Sequence, residues 1–146
     1  MKSMDKHTES QRSASTHELE WIIMVSHVGT SASAHVFSHQ LLVLGHSDCG
    51  AVKGSIDREA VKSLDLDKLN HLLDDINPAV EVALQPGDER TSANKDLVAR
   101  AIRENVRVTI DRIRQKSPDL VAMEEAGKIK IVGGIYDLAT GKISWM

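Results

Sequence analysis

The sequence predicts an α/β fold with a parallel β-sheet core flanked by helices, and three observations point there. Leu41-Leu42-Val43-Leu44 is an apolar run without polar alternation that stops at Gly45, and Lys128 to Asp137 (KIKIVGGIYD) reads as a second buried strand. Unbroken apolar runs bounded by glycine read as strands covered on both faces, as in parallel sheets. The long stretch between them carries helical periodicity, which makes the connection a right-handed parallel crossover. Finally, His46 and the single cysteine, Cys49, follow the first run where the next helix begins. Loops at the carboxyl ends of strands are where α/β proteins place chemistry.

Residues 1–15 are polar and aperiodic and read as a disordered tail, leaving residues 16–146 as one domain. Ser15 and Glu18 fit a capping box, Leu19, Ile22 and Ile23 share a face, and Gly29 suits the C′ position. The spacing therefore predicts a helix over about residues 16–28. In the TSASAHVFSH stretch, His35 and His39 would share a face of a helix. A loop with two exposed imidazoles is favoured over a ligand pair there, because no acidic residue stands by to orient the rings. Gln40 to Gly45 is the first strand, and a helix runs from Gly50 to about Ile56, ending at Asp57 and Arg58.

Leu66, Leu69, Leu72, Leu73 and Ile76 recur at helical spacing within 64–76, and Asn77-Pro78 is expected to end that helix and start a short one through Val82 and Leu84. Gln85-Pro86-Gly87-Asp88 is a turn. The longest helix is predicted over about 94–116, with Leu97, Ala101, Val108 and Ile110 to Ile113, together with Ile102 and Val106, on its buried side. Arg100, Arg103, Arg107, Arg112 and Arg114 recur along it, but Asp96, Glu104 and Asp111 interleave, so an ion-paired face is expected rather than a basic stripe. Ser117-Pro118-Asp119 separates it from a helix over 120–126 closed by Gly127. After the second strand, Leu138-Ala139-Thr140-Gly141 turns the chain into a last strand, 142–146, antiparallel to its neighbour.

The net charge of −3 gives no electrostatic reason to expect nucleic acid or an anionic membrane. One cysteine excludes an intrachain disulfide and any multi-cysteine metal site within one chain, and points to a reducing, cytoplasmic setting. No apolar segment follows the N-terminal residues as in a signal peptide, and the run from Trp21 to Val25 is too short to span a bilayer.

His46 and Cys49 are three residues apart on one tight loop and can converge on a zinc ion, which accepts both nitrogen and sulfur donors. The helix start beside Cys49 favours a thiolate. Two donors do not make a site, and on these residues alone a structural cysteine beside a hydrogen-bonded histidine is an equal reading. The letters around them, GHSDCGAVKG after an apolar strand, resemble the second metal half-motif of the β-class carbonic anhydrases. The likeness extends through Leu19-Glu20-Trp21 to Thr30, Leu72-Leu73 into Asn77-Pro78-Ala79-Val80, Glu104-Asn105-Val106, and KIKIVGGIYDLATG. It covers roughly residues 18–146, and the H-x-x-C-G loop with the G-x-Y-D-x-x-T-G end carries it.

The resemblance implies an enzyme with one zinc ion per chain that hydrates carbon dioxide to bicarbonate, with His46 and Cys49 as two of the metal ligands and a homodimer as the assembly. The family takes its third protein ligand from an upstream C-x-D-x-R motif and has a further strand ending in R-x-A-G-N; neither is found here. The expectation is therefore a shortened member, its N-terminal strands missing and its domain incomplete, whose zinc is weakly held and whose turnover is weak or absent. The strand at 40–45 would be left with an unpaired edge. Three roles compete: an enzyme completed by His35, His39, Asp48 or a partner chain; an inactive truncated member that serves as an assembly partner; and, least supported, a reactive-thiol protein using Cys49.

Overall fold

The computed structural model describes residues 22–25, 39–63 and 66–146. They form β1 (Ile22–Val25), β2 (His39–His46), α1 (Gly50–Ile56), α2 (Arg58–Lys62), α3 (Asp67–Ala83), α4 (Lys95–Lys116), α5 (Pro118–Glu125), β3 (Ile129–Tyr136) and β4 (Ile143–Trp145). The sheet runs β1-β2-β3-β4, with β2 and β3 parallel and both outer strands antiparallel to their neighbours. The α/β class and the parallel crossover stand as expected; the sheet as a whole is mixed.

The N-terminal part departs from expectation. Ile22 to Val25, placed by periodicity inside a helix, is a strand whose residues pair from Ile22↔Val43 to Val25↔Gln40. Ile22, Ile23 and Val25 are β-branched, and an open strand edge beside them offers backbone partners that outweigh a short amphipathic pattern. The Ser15 cap, Glu18 and Gly29 lie outside the described residues, as do the tail and His35. The same pairing corrects the second expectation: the edge of β2 is covered by β1 over Gln40 to Val43.

A further correction concerns Pro78. It lies inside α3, which runs unbroken from Asp67 to Ala83. An interior proline costs roughly 3 kcal/mol through the lost amide and ring clash. Leu73 and Ile76 before it and Ala79, Val80 and Ala83 after it are all buried on the same side, so splitting the helix would expose one half of that face.

α4 is capped by the Asn94 side chain, which accepts from the Leu97 amide at 3.1 Å. One of its ends packs with α1 and α3, where Leu97, Val98, Ala101 and Ile102 meet Val52, Ile56, Ile76 and Val80. Farther along, Val106 and Ile113 pack on Val43, Ile129 and Ile131 of the sheet. Two glycines let the helix settle this closely. A Cβ on Gly45 would stand 2.8 Å from Val106 Cγ2, and one on Gly133 would stand 2.9 Å from Val106 Cγ1. Leu120 of α5 joins the same side. Among the described residues, α4 and α5 are the helices that touch the sheet, both on the face carrying Val43 and Ile131.

Four arginines of α4 are ion-paired, with the interleaved acids Glu104 and Asp111 and with acids of other elements. Arg107 pairs with Glu104, Arg112 with Asp75, and Arg100 with Asp88 while also donating to the Ala83 carbonyl. Arg114 grips both oxygens of Glu124 at 2.9 Å, and the Ile131 amide also donates to that carboxylate, so α4, α5 and β3 are tied at one point.

Candidate metal centre

The parallel strands end together, His46 opposite Tyr136. Beyond that pair, the Ser47 amide donates to the Tyr136 carbonyl at 2.8 Å, and the Leu138 amide donates to Ser47 Oγ at 2.9 Å. The loop after β2 is thereby clamped to the turn after β3. That turn is built by Asp137, whose Oδ1 accepts from the Ala139 and Thr140 amides, both at 2.8 Å. Those hydrogen bonds, Thr140's foremost, hold the Asp137 carboxyl below its ordinary value of 3.8. Gly141 closes the turn with φ of 71°, a conformation that suits glycine. The Y-D-x-x-T-G segment thus works as a brace for the H-x-x-C loop.

His46 is half-buried, and its Nδ1 donates to the neighbouring Ser47 carbonyl at 3.0 Å. Asp48 adopts φ of 62°, a left-handed conformation that Asp tolerates better than most residues. Its exposed carboxylate is paired with Lys53 one turn into α1, and that hydrogen bond holds its pKa below 3.8. Cys49 is the N-cap residue of α1, and its carbonyl accepts from the Lys53 amide at 3.1 Å. Its thiol is free and half-buried, against the cluster formed by Val52, Ile56 and their neighbours. With three steps of chain between them, His46 and Cys49 have Cα atoms no more than about 11 Å apart, and the turn shortens that span.

The sequence-derived donors beyond this pair fare differently. His39 is the first residue of β2 and His46 the last, so the strand sets them about 23 Å apart and His39 cannot join the same ion within one chain. Asp48 is adjacent but already engaged by Lys53. Among the described residues, no group of three or more His, Cys, Asp or Glu side chains could hold a metal ion. A tetrahedral zinc needs four donors, and the loop offers two, so the described residues do not fit a complete zinc centre. Sequence reasoning missed the clamp that Ser47 makes with Tyr136 and Leu138, and the turn that Asp137 builds. A hydroxyl and an Asp-x-x-Thr turn were the only signals, and neither indicates its partner across the sheet.

A groove lined by Arg58, Asp74, Asn77, Glu81 and Arg90 lies at the other end of α1. Its two arginines are held internally: Arg58 by Asp74 and Asn70, and Arg90 by Glu81, Asn77 and the Ile56 carbonyl. No helix of the described residues is long and apolar enough to cross a membrane.

The family model for carbonic anhydrase matches residues 23–143. Among solved structures, the chain is similar to one described as the structure of the beta-carbonic anhydrase CcaA, with a TM-score of 0.57 and 21% identity. The alignment covers 73% of this chain and 50% of that one, so this chain spans about half the length of the structure it matches. No curated protein matches it.

Proposed function

Since the chain belongs to the carbonic anhydrase family, we propose that it is a β-carbonic-anhydrase-like domain carrying the His46–Cys49 half of a zinc centre, and that the isolated chain hydrates carbon dioxide slowly or not at all. The observation that carries this reading is the loop itself. His46 and Cys49 stand at the end of the parallel strand pair, where the family resemblance puts metal donors, with no third donor gathered among the described residues. The sequence contains no second cysteine to supply one. Changes in the groups that merely orient metal ligands already cost about 10–100-fold in affinity or activity, and a missing ligand costs more.

The purified chain is expected to carry well under one zinc per polypeptide and to show little carbon dioxide hydration by stopped flow. One tightly held zinc per monomer with brisk turnover would sink the proposal. A role as an assembly partner is the second reading, and the exposed apolar residues Leu138, Ile143 and Trp145 beside the loop favour it. Carbon dioxide or bicarbonate remains the proposed small-molecule class through the family alone.

A further inference from the structure

Helix α5 is held differently from the helices that build the core. α1, α3 and α4 each bury residues, whereas α5 buries none. Of its apolar side chains, Leu120 packs at the rim of the Ile113, Ile129 and Ile131 cluster, while Met123 is 39% exposed. The firm ties are polar and converge on one carboxylate. Arg114 donates from Nε and Nη2 to the two oxygens of Glu124 at 2.9 Å, and the Ile131 amide donates to Glu124 at 3.4 Å. We propose that α5 is a latch over the open edge of β3: it comes away as a unit while the remaining fold stays intact, and Glu124 is its catch.

The backbone on either side of α5 is already interrupted. Ser117 leaves the helical conformation, with φ of −129° and ψ of 78°, and Pro118 has no amide with which to continue the α4 ladder. At the other end Gly127 has φ of 67°. Its amide and that of Lys128 turn back to the Glu124 and Met123 carbonyls, at 3.0 and 2.9 Å. The backbone hydrogen bonds at both ends of α5 therefore close between Ser117 and Lys128, so it can leave without unwinding α4 or β3.

The edge beneath it has no other cover among the described residues. β4 pairs with β3 from Gly134 to Tyr136, and the Met146 amide reaches the Gly133 carbonyl. Ahead of that point, on the side away from β2, the Ile131 amide meets Glu124 in place of a strand. An open strand edge invites pairing with other chains, and a covering helix is one way proteins prevent it. Lifting α5 frees the Ile131 amide and uncovers Ile113, Ile129 and Ile131 where Leu120 lay. Elements with few buried apolar contacts are those that open at less cost than global unfolding. The latch is independent of the metal reading, since α5 sits at the start of β3 and the H-x-x-C loop beside its end.

The test is native-state hydrogen exchange of the full chain in urea below the unfolding transition. Amides from Val121 to Lys128 are expected to exchange through an opening that urea hardly promotes. Those from Ala101 to Val106 should exchange only through global, urea-promoted unfolding. Arg114→Met should raise exchange across α5 about ten-fold, the worth of a hydrogen bond between charged groups. Val52→Ala, in the core cluster that α5 does not join, should accelerate Ala101 to Val106 and leave α5 unchanged. Equal protection and equal urea dependence in α5 and α4 overturn the latch. A local opening of α5 that Arg114→Met leaves unaltered overturns Glu124 as the catch, and the proposal with it. If either variant fails to fold, the urea dependence of the unaltered chain decides alone.

Discussion

Ser47 makes the small contacts that decide where His46 and Cys49 sit. Its amide and hydroxyl both reach the turn after β3, so Ser47→Ala should leave the Leu138 amide without its partner. A single hydrogen bond of this kind contributes about 1 kcal/mol, and urea denaturation should show a loss of that size. The His46 and Cys49 spacing was legible because it is local, two donors within one short loop. The clamp was not, since Ser47 and Leu138 are distant in sequence and nothing in either residue names the other. Asp48 illustrates the same limit: as a letter it is a candidate ligand, whereas in the fold it belongs to Lys53.

Elements show how burial overrules local pattern in α3 and β1. Pro78 is exposed within α3, so Pro78→Ala restores an amide without disturbing the core and should stabilise the protein by roughly 1–3 kcal/mol. A chemical denaturation midpoint that stays put or falls would contradict that account. Gly45→Ala and Gly133→Ala push in the other direction, because each new methyl would meet Val106. Overpacking of this kind costs about 1–3 kcal/mol, and Val106→Ala should recover part of it in either background. Helices α1 and α4 and strands β2 and β3 were legible because their apolar spacing, caps and glycine stops agree. β1 was not: its four apolar residues fit either period, and its partner edge exists only once the sheet is assembled.

For the whole molecule, acid is the sensitive side. Glu124 is held below its ordinary 4.5 by the Arg114 hydrogen bond, and Asp88 and Asp137 are held below 3.8 by backbone hydrogen bonds, from Gln85 and Thr140 respectively. Depressed carboxylates stabilise the fold above their unfolded values and lose that contribution as pH falls through the folded ones. Stability should therefore hold from neutral pH to about pH 5 and decline below about pH 4.5. Arg114→Met should remove the Glu124 share and flatten that decline, as read from urea midpoints across the acid range.

β2 and β3 are neighbours in the sheet, yet α1 to α5 all lie between them in the chain. During synthesis β2 can pair with β1 early, but its other side must wait until Ile129 to Tyr136 have left the ribosome. Pairings across so long a separation form slowly, because the intervening loop must be closed before any contact repays it. The nascent hairpin therefore spends this interval with an apolar edge open, which is when such chains are captured by chaperones or by one another. A chain ending before Ile129 would never leave that interval, and ribosome-stalled fragments of that length should be bound by chaperones more strongly than the finished protein.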